Sequence, residues 1–186
     1  MRLFVAVNPP ARATQDLADA AAPLRELPGA DRLRWSDPAG WHLTLAFLGE
    51  VAVSEVPALE RELARVAAEH RSHPLRLAGG GTFGERVLWA GVEGDVRALR
   101  RLADAVQQAL GVADEDHGFH PHLTLARAGA TRGRKAGGAG GLRAMATALD
   151  AFRGAEWEAG RIQLMRSETG YGPARYTVVE GWPLQR

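Results

Sequence analysis

Two segments of the 186-residue chain carry a histidine and a threonine in the same order, with matching apolar neighbours. The sequence HLTLAFLG occupies positions 42–49 and HLTLARAG occupies positions 122–129, so the two agree at six of eight positions. Such self-similarity favours an internal duplication over coincidence. A single His-x-Thr on a strand is more often structural than functional, but a second matching copy favours a functional pair.

Strand geometry gives each copy two distinct faces. Because side chains alternate along a β-strand, His42 and Thr44 are expected to face one side. Leu43 and Leu45 would then face the other side and pack in a core. Phe47 has the opposite parity from His42, unless the strand ends or bulges between them. The second copy is expected to follow the same pattern.

The two histidine–threonine faces suit the chemistry of a phosphodiester if they meet across a cleft. One neutral imidazole can take a proton from water, while the other, protonated, delivers a proton to the leaving oxygen. His42 and His122 are the candidates for this acid–base pair. The hydroxyls of Thr44 and Thr124 can donate to the phosphate oxygens, where charge accumulates in the transition state.

Hydrophobic periodicity and turn residues predict the elements that carry these segments. We expect strands at 3–7, 33–35, 42–48, 75–78, 87–92, 122–125, 161–166 and 175–180, and helices at 12–27, 54–70, 95–110 and 142–152. Ser54 and Asp95 are the predicted N-caps, and Gly111 is the predicted stop. The glycines at 79–81 and Gly84 predict a loop between two strands, and residues 128–141 a mobile loop. The elements do not alternate in strict βαβ units, so the class is α+β.

Composition limits the function classes. The 186 residues fit one domain, 1–186, or two small lobes sharing a core. The net charge of +1 excludes a globally basic surface for nucleic acid, so phosphate must be attracted by a local patch. The absence of cysteine excludes disulfides and thiolate chemistry. We see no signal peptide and no membrane span, which makes a cytoplasmic protein the expectation.

The ordered set of motifs resembles the two-histidine (2H) phosphoesterases, in particular the bacterial RNA 2′,3′-cyclic phosphodiesterases, also called 2′-5′ RNA ligases. The resemblance covers nearly the whole chain. It rests on RLFVAV at 2–7, RW at 34–35, WHLTLAFLG at 41–49, FHPHLTLAR at 119–127, LMRS at 164–167, GP at 172–173 and the tyrosine at 176.

This resemblance implies a bilobal α+β fold, with two small antiparallel sheets flanked by helices around a central cleft. It also implies hydrolysis of 2′,3′-cyclic phosphate ends to 2′-phosphates without metal or cofactor, together with reversible 2′-5′ ligation. The implied substrates are RNA with such ends or small cyclic nucleotides, and no membrane or protein partner is implied. By position, His42 matches the proton donor and His122 the acceptor.

The remaining implied roles concern the substrate. Thr44 and Thr124 match the phosphate-binding threonines of the family, and Phe47 and Arg127 match positions associated with the nucleotide end. The glycine-rich stretch at 137–141 departs from the family pattern, being longer than its usual segment.

Two other functions fit parts of the sequence. His117, His120 and His122, with carboxylates at 114–116, form a plausible zinc ligand set, which would make the protein a metallohydrolase. A nucleotide-binding module that keeps the cleft but lacks turnover is the second alternative.

Several further residues have two interpretations. The basic residues Arg127, Arg132, Arg134, Lys135 and Arg143 form either a solvated loop or a guide for the RNA backbone. Trp35 or Phe47 could stack on a base, with core packing favoured for Trp35. The 79–84 loop lacks the lysine of a P-loop, and Tyr176 and Ser167 are expected to be structural.

Overall fold

A computed structural model describes residues 1–114, 116–129 and 140–186. Within these residues the chain forms nine strands and four α-helices. The strands are β1 Arg2–Val7, β2 Leu33–Trp35, β3 Leu43–Glu50, β4 His73–Phe83, β5 Val87–Gly94, β6 Leu123–Ala128, β7 Trp157–Ala159, β8 Arg161–Glu168 and β9 Arg175–Pro183. The helices are α1 Ala11–Ala21, α2 Val56–Glu69, α3 Val96–Ala109 and α4 Gly140–Ala148.

The strands form two separate antiparallel sheets. The first sheet has the spatial order β3-β1-β8-β9, and the second has the order β2-β6-β5-β4-β7. Helices α2 and α3 pack on the first sheet, whereas α1 and α4 pack on the second. This arrangement confirms the α+β class with two antiparallel sheets flanked by helices.

The leucines of the repeated motif lie in a core that both sheets share. Leu43 and Leu45 of β3 are fully buried, as are Leu123 and Leu125 of β6, and all four belong to one hydrophobic cluster. Burying one such side chain stabilises the fold by about 1.5–3 kcal/mol. The apolar half of each motif therefore fixes its strand against the core and leaves the polar half facing away.

The glycine-rich stretch at 79–81 does not form the predicted loop, because β4 runs through it to Phe83. A Cβ at Gly80 would lie 2.8 Å from a Leu149 methyl group, and one at Gly81 would lie 2.3 Å from the Trp89 ring. These glycines therefore allow close packing on the strand. The turn comes later, near Gly84, whose φ is +54°.

Two helix predictions also need correction. Helix α1 ends at Ala21, and a 3-10 turn beginning beside Pro23 replaces the rest of the predicted 12–27 helix. Ser54 is not an N-cap: the Glu55 carboxylate accepts from the Ala52 amide at 3.1 Å, and a 3-10 turn precedes α2.

The other elements lie near their predicted positions. Asp95 does cap α3, accepting from the Ala98 amide at 2.9 Å, and Gly111, with φ +67°, follows its end. The short edge strand β7 was not predicted, and α4 ends at Ala148 rather than 152. Within the predicted loop 128–141, positions 130–139 lie outside the described residues. In the part of the chain that the structure describes, no helix is long and apolar enough to cross a membrane.

Candidate active site

A β-bulge in each motif strand determines which side chains share a face. In the pairing of β1 with β3, Ala6 lies opposite Thr44 and Val5 opposite Ala46, so Leu45 is the extra residue. A bulge of this kind shifts the alternation by one residue. Phe47 consequently lies on the same face as Thr44, which settles the parity question left open by the sequence.

The second motif has the same bulge at the equivalent leucine. In the pairing of β5 with β6, Trp89 lies opposite Thr124 and Leu88 opposite Ala126, which leaves Leu125 as the extra residue. Arg127 is thereby brought to the face of Thr124. The two motifs therefore share a β-bulge at the equivalent position as well as their sequence.

Each motif histidine is held by a backbone carbonyl two residues before it. His42 Nδ1 donates to the Gly40 oxygen at 2.7 Å, and His122 Nδ1 donates to the His120 oxygen at 2.7 Å. A hydrogen bond at Nδ1 fixes the tautomer of a neutral imidazole, so the lone pair lies on Nε2. Both rings can therefore accept or deliver a proton through Nε2.

Aromatic side chains enclose each histidine ring. The His42 ring centroid lies 4.7 Å from that of Phe4 and 5.0 Å from that of Tyr176, the latter edge-on. The His122 ring meets the edge of Phe83 at 4.7 Å between centroids. Edge-to-face contacts of this kind restrict ring rotation and add to the packing energy.

The two histidines have lowered pKa values for related reasons. Burial of the ring lowers the pKa of His42; the hydrogen bond to Gly40 opposes this shift, and positive charge on His122 and Arg127 adds to it. Burial likewise lowers the pKa of His122; the hydrogen bond to the His120 carbonyl opposes this shift, and positive charge on His120 and Arg127 adds to it. Without a ligand both rings favour the neutral form more than a free histidine does, whereas a bound phosphate anion favours protonation.

The histidines, threonines and their neighbours line one cleft of about 600 Å³. This volume is in the range of small-ligand sites. The cleft brings together all six predicted site residues, from both sheets: His42, Thr44, Phe47, His122, Thr124 and Arg127. The arrangement offers two imidazoles for proton transfer, two hydroxyls and a guanidinium for anionic oxygens, and an exposed aromatic ring.

Other residues considered from the sequence alone are distributed differently. Trp35 packs on the core, donates to the Ala30 oxygen at 2.9 Å and lies under Arg25, so it does not stack in the cleft. Tyr176 and Ser167, expected to be structural, line the cleft. Arg143 is an exposed residue of α4, and Arg132, Arg134 and Lys135 lie outside the described residues.

Sequence reasoning missed several residues of the cleft, among them Arg2, Phe4 and Gly40. The strand at 3–7 had been interpreted as buried, with no face assigned to function. Positions 3–7 are all apolar and so carried no sign of two faces; in the structure Leu3, Val5 and Val7 join the main core, whereas Phe4 and Ala6 belong to a separate small cluster. Gly40 could not be identified from the sequence, because it acts through its backbone carbonyl, which holds His42, and through the lack of a side chain, which leaves room for Tyr176.

The proposed zinc ligands are only partly close together. His117 is exposed and pairs with Asp114 at 3.4 Å, and the rings of His120 and His122 have centroids 6.2 Å apart. Among residues 1–114, 116–129 and 140–186, no group of three or more histidine or acidic side chains is arranged to hold a metal ion.

Comparison with known proteins gives consistent similarities. Residues 9–170 match the 2′-5′ RNA ligase superfamily. The RNA 2′,3′-cyclic phosphodiesterase of Thermus thermophilus is 34% identical over all of this chain and 91% of its own length. The enzyme of the same name from Geobacillus stearothermophilus is 39% identical, but the match spans 50% of this chain and 32% of that protein.

Solved structures show the same fold. Escherichia coli LigT complexed with phosphate superposes with a TM-score of 0.74 at 26% identity, covering 100% of this chain and 98% of that one. LigT complexed with 3′-AMP gives the same values. The two-sheet architecture is therefore that of a known group of proteins.

Proposed function

The chain belongs to the 2′-5′ RNA ligase superfamily, and we propose that it is an RNA 2′,3′-cyclic phosphodiesterase that forms 2′-phosphate ends. One observation carries this proposal. Both motif histidines line the same cleft, and each has its Nδ1 committed to a carbonyl oxygen at 2.7 Å, which leaves Nε2 for the substrate. A cleft with two such rings supports acid–base catalysis on a phosphodiester.

In the proposed reaction His122 Nε2 takes a proton from water as the water oxygen attacks phosphorus. The bond from phosphorus to the 3′ oxygen breaks, and His42 Nε2 protonates that oxygen. The products are a 2′-phosphate and a 3′-hydroxyl, and the two histidines exchange protonation states. The assignment of His42 as donor and His122 as acceptor follows the order of the motifs in the family.

The neighbouring side chains supply binding and charge. Thr44, Thr124 and Arg127 line the cleft beside the histidines and are proposed to hold the non-bridging oxygens, whose charge grows in the transition state. Phe47 has 70% of its surface exposed, a high value for a large apolar ring. We assign it to stacking on the terminal base, which any base permits.

Ligation uses the same groups. If a 5′-hydroxyl takes the place of water, His122 can deprotonate it and a 2′-5′ linkage forms with release of the 3′ oxygen to His42. We therefore include reversible 2′-5′ ligation in the proposed activity, with RNA ends or small cyclic nucleotides as substrates.

Two further proposals concern the whole chain. Residues 1–186 are proposed to act as one bilobal domain, supported by the single core cluster to which both sheets contribute. The cytoplasmic location expected from the sequence stays a prediction.

The proposal is tested by incubating the protein with an oligoribonucleotide ending in a 2′,3′-cyclic phosphate, with EDTA present, and separating the product isomers. We expect turnover to a 2′-phosphate. A predominant 3′-phosphate would contradict the donor and acceptor assignment.

The same assay separates the two alternatives. Binding without release of a phosphomonoester would indicate a module without turnover. Activity lost to EDTA and restored by zinc would favour the metallohydrolase with His117, His120 and His122. In that case His120→Ala should be as damaging as His122→Ala, whereas on our proposal it should be much milder.

A further inference from the structure

The lining of the cleft also includes Arg2 of β1, Ser167 of β8 and Thr169, which follows β8. None of these three has a role in the reaction proposed above. Arg2 lies on the face of β1 that carries Phe4 and Ala6, since it has the same parity in the strand.

Strand register arranges this face in three successive rows. Thr44 lies opposite Ala6 in the first row, and Phe47 lies opposite Phe4 in the second. Arg2 lies opposite Ser167 in the third. Two residues of a strand span about 7 Å, so the row of Arg2 is about 13 Å from that of Thr44. A long arginine side chain can cover part of that distance.

The charge of Arg2 is not balanced by the carboxylates of the neighbouring strands. Glu50, opposite Arg2 in β3, pairs with the Met1 ammonium at 3.3 Å. Glu168 of β8 pairs with Arg166 at 3.1 Å. Among the ion pairs of the described residues, none includes Arg2.

We propose that Arg2, with the Ser167 and Thr169 hydroxyls, binds the phosphodiester on the 5′ side of the terminal nucleotide. This inference rests on the proposed function. The rows then follow the order of the substrate: the cyclic phosphate lies at the histidine–threonine pairs, the terminal base on Phe47, and the next phosphate at Arg2. A contact to a backbone phosphate adds affinity without reading sequence.

The site distinguishes an RNA end from a free cyclic nucleotide, which has no second phosphate. With a net charge of +1 the protein has little general attraction for polyanions. One cation placed at the second phosphate gives a local preference for chains over mononucleotides. Its position in the central strand β1, paired on both sides, holds it at a fixed distance from the catalytic groups.

The test compares kcat/KM on a cyclic-ended oligoribonucleotide with kcat/KM on uridine 2′,3′-cyclic phosphate. Arg2→Gln keeps a polar side chain but removes its charge, and we expect the ratio of the two values to fall about tenfold. Arg2→Lys should restore part of the ratio. Arg12→Gln, at an exposed position of α1 that does not line the cleft, is the matched control and should leave the ratio unchanged.

A change in the substrate identifies the phosphate concerned. An oligonucleotide whose last internucleotide linkage is a neutral methylphosphonate should lose the same factor with the wild-type protein, and Arg2→Gln should add no further loss. The subsite would be overturned if Arg2→Gln left the ratio of the two kcat/KM values unchanged. It would also be overturned if the loss caused by Arg2→Gln were as large on the methylphosphonate substrate as on the natural one. Failure of the wild-type protein to hydrolyse either the cyclic-ended oligoribonucleotide or the cyclic mononucleotide would instead overturn the proposed function, and the subsite with it.

Discussion

The two motif strands, β3 and β6, share their geometry but differ in the side chains around it. Both bulge at the second leucine of the motif, and both are preceded by a histidine whose Nδ1 donates to a carbonyl at 2.7 Å. After the bulge, however, β3 presents Phe47 and β6 presents Arg127. The backbone and the histidine are the shared parts. The residue beyond the bulge differs, with base binding proposed for Phe47 and charge stabilisation proposed for Arg127.

The surroundings of the rings also differ between the motifs. The carbonyl that holds His42 belongs to Gly40, against which the Tyr176 ring is packed so closely that an added Cβ would lie 2.8 Å from it. The carbonyl that holds His122 belongs to His120, whose own side chain packs against Trp89 with centroids 4.9 Å apart. The equivalent hydrogen bonds therefore come from different residues. In the first motif the carbonyl belongs to a glycine that leaves room for Tyr176, and in the second it belongs to a histidine whose own ring packs against Trp89.

The largest expected effect tests whether the two histidines are equally necessary. His42→Ala and His122→Ala should each lower kcat by about 10²–10⁴-fold, the contribution of a positioned acid or base. The double variant should lose less than the product of the two, because the groups act as a unit. Single-turnover rates on a cyclic-ended RNA measure this, with circular dichroism as the folding control. Near-native turnover in either folded single variant would contradict the shared role.

The next effect separates Arg127 from Phe47. Arg127→Gln should lower kcat by about 10- to 100-fold on oligonucleotide and mononucleotide alike, because Arg127 lines the cleft near both histidines, where the reacting phosphate is proposed to bind. Phe47→Leu should mainly raise KM, by about tenfold, through lost stacking. A loss at Arg127 confined to oligonucleotides would assign it to the RNA backbone instead.

A smaller effect tests the support of His42. Gly40→Ala should push the Tyr176 ring away and shift the carbonyl that holds His42, lowering kcat by up to about tenfold. Gly118→Ala is the matched control near the second motif, since a Cβ there meets nothing within 4 Å. Equal activities of the two variants would show that Tyr176 packing does not position the ring.

The smallest effect concerns pH. Acid–base catalysis by two histidines gives a bell-shaped dependence of the rate on pH, whose two limbs report macroscopic pKa values of the pair. Because both histidine pKa values are lowered in the free protein, both limbs of kcat/KM should lie to the acid side of free histidine. The kcat profile should lie at higher pH, since bound phosphate favours the imidazolium.

Arg127→Gln provides the check on this pH dependence. Removing its positive charge should move the kcat/KM profile toward higher pH by less than about one unit. An unshifted profile in the folded variant would show that Arg127 does not act on the histidine pKa values.

The sequence predicted the parts of the site that depend on type and spacing. The alternation of leucine with histidine and threonine was enough to place one set in the core and the other outside it. The bulges at Leu45 and Leu125 could not be predicted, because they depend on how each strand pairs with a partner distant in sequence. Phe47 therefore had no assigned face until the register was known.

The errors in the fold have a similar origin. Glycines at 79–81 predict a loop when only local conformation is considered, but in the structure their absent side chains make room for Leu149 and Trp89. Arg2 was overlooked because a short apolar strand near it indicated only burial. Its place in the cleft depends on β8, which follows more than a hundred residues later.

The order of strands has a consequence for how the chain assembles. Although the two motifs are a duplication, neither sheet consists of one contiguous half: β2 pairs with β6 of the second sheet, and β1 pairs with β8 of the first. During synthesis most strands of the second sheet emerge before the last quarter of the chain. The first sheet cannot be completed until β8 and β9, which lie in that last quarter, have emerged. Contacts so distant in sequence slow folding. A cut between the motifs would leave neither fragment with a complete sheet, so the halves of this duplication are not independent folding units.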